Sequence, residues 1–486
     1  MKAIRINRKE PMHHNHSAKP ETGTIKGVVV AAPASGGGKT TFTLGLIAAL
    51  RKRGYAVAPF KVGPDFIDPG HHKRIAGAAS RNLDGWMLDE SQNRRIFGQA
   101  VMGADIAVVE GVMGLFDGYD GKTDAGSTAQ MAKWLGLPVI LVADARSMAR
   151  SFAALVRGFS VFDPAVRICG VVANNVAGEG HLRYLAQAME KEDVPLLGGI
   201  VRNSAVSIPE RHLGLHTAED HGLTEEMAEN LANLVEQSID LEKLIGRLPL
   251  IPNRTPERPP VMTADVRIGV ARDNAFCFYY KDNLDVLREN GCEIIPFSPI
   301  LDETPPADIH GLYLGGGYPE LFAGRLAANR SMKKAVRALC ESGMPVYAEC
   351  GGFMYLCRSL ATAQGDTHEM AGVFDFETRM QERLSALGYR EIRFAGDTPI
   401  GKAGEIARGH EFHYSELVNP DAPTAARQVY EAADKADRRR RCPGWLIHRT
   451  LGSYAHLHFR SRPEIGRFFA DQCRKYDAAV KYKNLK

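Results

Sequence analysis

Cysteine is scarce in this chain and tryptophan scarcer, at 8 and 3 of 486 residues. The cysteines show no paired spacing and no CxxC, which excludes a disulfide framework and predicts free thiols in a reducing compartment. Long apolar runs are also missing. Val28–Pro33 and Leu137–Ala143 fall far short of the roughly 20 residues a membrane helix needs. The N-terminus holds no apolar stretch of signal-peptide type. Excess charge of one sign is lacking too: 61 Lys and Arg against 57 Asp and Glu leave +4. That balance is too mild to predict nucleic acid or an anionic membrane as partner. The expected compartment is the cytoplasm.

What is present has ordinary globular proportions, 44% hydrophobic and 24% charged. At roughly 100–200 residues per domain, the length predicts two or three domains, with cores large enough to need no metal or disulfide staple. Residues 1–24 are polar and aperiodic, with His13, His14 and His16 clustered. They read as a disordered tail. From residue 25 short β-branched runs (Val28–Ala31, Ile106–Val109, Val139–Val142, Ile168–Val172) alternate with helical stretches such as Thr41–Arg53 and Ser127–Leu135. That alternation predicts a doubly wound α/β domain over 25–246. Pro249, Pro252, Pro256, Pro259 and Pro260 crowd the next stretch, so 247–262 reads as a linker without helix or sheet interior. A second α/β pattern (Val266–Ala271, Glu293–Phe297, Gly311–Leu314, Pro345–Ala348) predicts a domain over 263–476, followed by a C-terminal tail, 477–486.

Chemistry is concentrated at the ends of predicted strands. Val28–Ala31 runs into Ala32-Pro-Ala-Ser-Gly-Gly-Gly-Lys-Thr-Thr41 and then a helix. Gly36, Gly37 and Gly38 allow the backbone N–H groups to form an anion nest. Lys39 suits the β/γ-phosphates of ATP, the Thr40 hydroxyl suits Mg²⁺, and Thr41 completes the ATP-binding loop. Pro33 stands where the strict P-loop pattern has its first glycine, but strand, glycine loop, Lys-Thr and helix follow in the required order. Mg²⁺ needs hard oxygen ligands. Asp65 and Asp68 lie in Lys61-Val-Gly-Pro-Asp-Phe-Ile-Asp-Pro69, and Glu110 and Asp117 in Val108–Gly118. Glu110 ends an apolar strand, where open α/β sheets bind ligands. The same acids could instead cap helices or turns. Asn174 and Asn175 end another strand and suit either a nucleobase edge or a turn. Arg211, beside His212, suits either a substrate carboxylate or a structural ion pair.

In the second half, Met344-Pro-Val-Tyr-Ala-Glu-Cys-Gly-Gly-Phe-Met-Tyr-Leu356 reads as strand, tight turn and helix. Cys350 then sits on a nucleophile elbow, where a helix N-terminus favours thiolate. Cys169, Cys292 and Cys340 read as structural. The partner base is sought in Gly452-Ser-Tyr-Ala-His-Leu-His-Phe459, which offers His456 and His458. Gly316 and Gly317 in Leu314–Glu320, together with Gly351, can donate backbone N–H groups to an oxyanion. Cysteine, histidine and a glycine turn describe an amide-hydrolysing site.

Taken together, these stretches resemble the cobyrinate a,c-diamide synthase family of the cobalamin pathway, over roughly residues 25–475. Gly409-His-Glu-Phe-His-Tyr-Ser415 is part of the same resemblance. The first half is similar to dethiobiotin-synthetase-like amidoligases and the second to class I glutamine amidotransferases of the cobyric acid synthase type. The resemblance implies Cys350 as glutaminase nucleophile and His456 as the residue that activates it. It implies Lys39 and Thr40 on ATP and Mg²⁺, and Asp65, Asp68 and Glu110 in ATP, metal and carboxylate handling. One departure stands out. Ordinary class I amidotransferases carry His-x-Glu, and here His458 holds the acid's place. Either Glu411 substitutes or no acid is needed.

The implied reaction is amidation of the a and c carboxylates of cobyrinic acid, a polyanionic corrinoid, through acyl phosphates. Glutamine supplies the ammonia, which passes directly between the halves. A homodimer is the candidate assembly. Hydrogenobyrinic acid or nickel-sirohydrochlorin would suit the same motifs. A P-loop partitioning or regulatory ATPase with a vestigial glutaminase is the reading from another class.

Overall fold

The computed structural model describes residues 24–202, 210–211, 214–215, 224–252 and 262–484. The expected N-terminal tail lies almost wholly outside them. Two compact units divide between Glu257 and Arg258.

In the first unit the β-branched runs become strands because each is buried on both faces, as a parallel sheet flanked by helices requires. These are β1 (Thr24–Ala31), β2 (Val57–Val62), β3 (Arg81–Leu83), β4 (Ile106–Glu110), β5 (Val139–Asp144), β6 (Ile168–Val176) and β7 (Leu196–Val201). They lie in the order β3-β2-β4-β1-β5-β6-β7, every neighbouring pair parallel. The order reverses on either side of β1, so the loops after β1, β2 and β4 open at one switch point. The short pair β8 (Glu210–Arg211) and β9 (Gly214–Leu215) follows.

Part of the proline-rich stretch differs from its expectation. Leu250–Pro252 forms β10, antiparallel to the first residues of β1. Proline is tolerated there because β10 pairs with one strand only and Pro252 ends it. Residues 253–261 lie outside the described residues.

The second unit begins with β11 (Val266–Ala271), β12 (Cys292–Phe297), β13 (Gly311–Leu314) and β14 (Val346–Glu349). Next come β15 (Cys357–Ala361), β16 (Thr367–Glu369), β17 (Phe374–Met380), β18 (Ala386–Phe394), β19 (Ile406–His413), β20 (Ser415–Val418), β21 (Arg427–Gln428), β22 (Tyr430–Ala433), β23 (Arg439–Arg440), β24 (Gly444–Ile447), β25 (Thr450–Ser453) and β26 (His456–Leu457). The main sheet runs β12-β11-β13-β14-β25-β24-β21, parallel from β12 to β25 and antiparallel beyond. Two smaller sheets, β16-β15-β17-β20 and β23-β22-β18-β19-β26, are antiparallel additions to the expected doubly wound plan, except that β15 and β17 run parallel.

The C-terminal segment also differs. Instead of a tail from 477, a helix runs Glu464–Asn484. Ile465, Phe469 and Cys473 anchor its buried face. Asp477 pairs with Lys481 one turn on, at 2.7 Å, in the favourable order.

Candidate functional site

The glycine loop after β1 takes the shape its residues dictate. Gly36 and Gly38 have φ of 75° and 89°, open to glycine at little cost. A Cβ on Gly38 would fall 2.2 Å from Asn174 Nδ2. Asn174 donates to Gly37 O at 3.1 Å, so β6 braces the loop through this side chain. Asn175 follows with φ 56°. Lys39, Thr40 and Thr41 open the helix Lys39–Lys52. Lys39 Nζ donates to Met113 O at 2.5 Å. Burial and then Lys61 lower the Lys39 pKa.

Behind the loop stands a buried charge cluster. Glu110, at the end of β4, accepts from Thr40 Oγ1 at 2.6 Å and from Lys61 Nζ at 2.9 Å. Its other oxygen meets His72 Nε2 at 2.7 Å. Lys61 also pairs with Asp68, and Asp65 is 3.9 Å away. Burial alone would raise the Glu110 pKa, but Lys61, His72 and Thr40 outweigh it and hold the carboxylate well below its usual range. Asp68 is pushed up by burial and by the neighbouring Asp65 and Glu110. Lys61 stays charged, since Asp68, Glu110 and Asp65 overcome the cost of its burial. Ser35, Gly36, Lys39, Thr40, Lys61 and Asp65 are among the residues lining a cavity of about 280 Å³.

The structure therefore gathers Lys39, Thr40, Asp65, Asp68 and Glu110. Asp117 caps its own loop, accepting from Gly114 N at 2.9 Å. Arg211 lies on β8, but its side chain is not described, and His212 lies outside the described residues. Lys61 and His72 were not singled out by sequence reasoning. Lys61 had a signal: a lysine inside the wholly buried strand Val57–Val62 must have acidic partners, because an unpaired buried charge is too costly. Among the described residues no group of three or more His, Cys, Asp or Glu could hold a metal ion by itself. Thr40 and Glu110, with phosphate oxygens and water, fit the sparse protein ligation of Mg²⁺.

In the second unit, Cys350 follows β14 with φ 46° and ψ −104°. That backbone is strained for a side-chain-bearing residue, as on a nucleophile elbow. Cys350 N donates to Ser453 O at 2.7 Å. The glycine turn after β13 has no room for side chains. A Cβ on Gly316 would lie 2.4 Å from His456 Cε1, and one on Gly317 2.2 Å from Ala275 O. A Cβ on Gly351 would lie 3.1 Å from Gly317 N. The turn thus meets the His456 ring at Gly316 and the elbow at Gly317.

Cys350 is only 6% exposed. Burial, then the nearby Glu320, raises its pKa, more than the Gly351 N–H lowers it. His456 is driven well below its usual pKa by burial and the facing His410. The resting pair is therefore thiol and neutral imidazole, not the thiolate anticipated from the helix N-terminus; desolvation outweighs that dipole. His410 stacks on His456 at 5.0 Å because β19 pairs with β26 at that register. His458 packs on Tyr280 at 4.5 Å. Glu411 is engaged by Arg390 Nε at 2.5 Å and by His413 Nε2 at 3.5 Å.

A P-loop unit with buried carboxylates and a cysteine–histidine unit on one chain define a glutamine-dependent amidoligase. Residues 28–215 match the CobQ/CobB/MinD/ParA nucleotide-binding domain model, and 267–464 match that of the CobB/CobQ-like glutamine amidotransferase domain. Along most of its length the chain is similar to three proteins named cobyrinate a,c-diamide synthase. That of Syntrophotalea carbinolica is 44% identical, covering 92% of this chain and 98% of its own. That of Listeria innocua is 44% identical over 90% and 97%, and that of Salmonella typhimurium 43% over 90% and 96%. The chain belongs to the cobyrinate a,c-diamide synthase family of glutamine-hydrolysing ligases. The partitioning-ATPase reading is set aside by these full-length likenesses. No described helix is long and apolar enough to cross a membrane.

Proposed function

We propose that the first unit activates the a and c carboxylates of cobyrinic acid with ATP, and that the second makes the ammonia that amidates them. The observation that supports this most directly is the joint presence, in one chain, of the Thr40–Glu110–Lys61 cluster and of a strained Cys350 elbow and a His456 ring set against one glycine turn.

A carboxylate resists ammonia because hydroxide is a poor leaving group. Transfer of the γ-phosphoryl group turns it into an acyl phosphate, whose phosphate leaves readily. The glycine-loop N–H groups hold the ATP phosphates, and Lys39 neutralises the developing charge. Mg²⁺, held by Thr40 and Glu110 with Asp65 alongside, would supply further charge neutralisation to the phosphates. Lys61 keeps Glu110 ionised and in place. Asp65, Asp68 and Arg211 handle the substrate side.

Ammonia is mostly protonated at neutral pH, so it must be made where it is used. Cys350 Sγ attacks the glutamine amide carbon while His456 takes the thiol proton. The N–H groups of Gly317 or Gly316 and of Gly351 stabilise the oxyanion. The proton passes to the departing nitrogen, and water then cleaves the glutamyl thioester.

The test incubates the full chain with ATP, glutamine and each of three acids: cobyrinic, hydrogenobyrinic and nickel-sirohydrochlorin. Mass spectrometry reads the small mass decrease of exchanging hydroxyl for amino. An ATP-dependent double exchange on cobyrinic acid is the expected result. Turnover of either other acid in preference reassigns the substrate. Cys350→Ala should abolish glutamine use and keep activity with high ammonium; loss of both in a folded variant would refute two separable sites.

A further inference from the structure

The position two residues after His456 is a histidine, and Glu411, the other acid considered, is engaged by Arg390 and His413. Another carboxylate faces the imidazole. Glu349, the last residue of β14 and the neighbour of the nucleophile, is 1% exposed. Its Oε2 lies 3.9 Å from His456 Nδ1. The same oxygen accepts from Tyr313 OH at 2.9 Å. Its Oε1 accepts from Tyr347 OH at 2.6 Å and from the backbone N–H of Leu457 at 3.1 Å. Glu349 is thus held by side chains from β13 and β14 and is tied to the strand that carries His456.

We propose that Glu349 is the positioning residue for His456, supplying from the nucleophile's own strand the carboxylate that His-x-Glu sites take from the histidine's strand. This rests on the reading of Cys350 and His456 as the glutaminase pair. A carboxylate at Nδ1 favours the tautomer protonated there and leaves the Nε2 lone pair for the Cys350 proton. When that proton arrives, the imidazolium forms beside an anion. The proton comes from Sγ, resides on Nε2 and leaves with ammonia; Glu349 exchanges none. The 3.9 Å separation is a resting contact of the kind that tightens when substrate binds.

Burial raises the Glu349 pKa to about 7, against the hydrogen bonds from Tyr347, Tyr313 and Leu457. The other titratable groups near it are Tyr313 from β13, Tyr347 and Cys350 from β14 and its turn, His456 from β26, and at longer range Tyr279 and Tyr430. The shifted pKa values of these tyrosines, of Cys350 and of His456 all lie away from neutrality. A limb near pH 7 in the glutamine-dependent rate is the expected signature of Glu349.

The experiment measures glutamine- and ammonium-dependent synthesis by the full chain across pH, for the unaltered protein and Glu349→Gln. The expected result is a fall in glutamine-dependent kcat of at least about tenfold, with an unchanged KM for glutamine and loss of the limb near pH 7. The ammonium-dependent rate should stay intact. A variant that keeps kcat and the limb overturns the proposal, as does a folded variant that loses the ammonium reaction too. If Glu349→Gln does not fold, Tyr313→Phe combined with Tyr347→Phe decides. Removing two donors to the carboxylate raises its pKa, so the limb must move to higher pH, and an unmoved limb overturns the proposal. Failure of the glutaminase reading itself would show separately, as glutamine use that survives Cys350→Ala.

Discussion

Lys61 illustrates how one residue can determine the electrostatics of a site. It is a cation buried in a strand, between Asp68 and Glu110. Removing one member of such a cluster leaves charge without compensation and costs about 3–5 kcal/mol. Lys61→Met should therefore lower the unfolding free energy of the first unit by that order, as denaturant titration would show. It should also abolish ATP-dependent amidation with either nitrogen source while glutamine hydrolysis by Cys350 continues. Intact synthesis in this variant would remove Lys61 from the active cluster. His72, bridging Glu110 and Ser80, has a smaller part, since Glu110 keeps Lys61 and Thr40 without it.

At the scale of elements, each half places its chemistry on a strand that ends in a glycine turn. At Gly38 and Gly316 the Cβ position is already taken by a partner side chain, Asn174 and His456 respectively. Gly38→Ala combines an unfavourable φ with a clash at Asn174, so it should abolish ATP-dependent synthesis from glutamine and ammonium alike. Gly316→Ala would push into His456. A displacement near 1 Å costs about a hundredfold in rate; glutamine-dependent kcat should fall by that order while ammonium-dependent kcat persists. Steady-state assays with the two nitrogen sources check both variants. Equal loss from both sources in Gly316→Ala would show that the turn serves the fold and not the imidazole.

At the scale of the whole molecule, the two units separate two incompatible demands. On the proposed reading, phosphoryl transfer uses a charged, phosphate-binding cleft, whereas amide cleavage starts from a buried thiol and a neutral imidazole. The second demand makes stability depend on pH. His410 and His458 are lowered to about 3 by burial and neighbouring charge, and His456 is lowered as well. Below the ordinary value of 6.5, the unfolded chain binds protons that these rings refuse when folded. Stability therefore falls as pH drops from 6.5 towards 3, by roughly 1 kcal/mol per pH unit for each ring. Glu349 opposes one of the three, because its raised pKa makes the folded state bind a proton between 4.5 and about 7. The net slope still favours higher pH. Hydrogen exchange in peptides covering β18 and β19, corrected for intrinsic rates, should show weaker protection at pH 5.5 than at pH 7.5. Equal protection would contradict the buried, neutral imidazoles.

The chain order alone was enough to read the doubly wound plan, the glycine loop, the cysteine elbow and the family. Strand runs, turns and motif spacings are local properties, and backbone sterics and side-chain periodicity act over a few residues. Partnerships between distant residues were not readable in that way. Lys61 meets Glu110 because β2 and β4 are neighbours in register, and His410 reaches His456 through the β19–β26 pairing. Glu349 faces His456 because the last strands bring Leu457 onto its carboxylate. Sequence reasoning found no acid two residues after His456 and left two alternatives, Glu411 or no acid at all. Only the tertiary structure brings Glu349 as well as Glu411 near the His456 ring, because burial and strand register decide which carboxylates approach which ring.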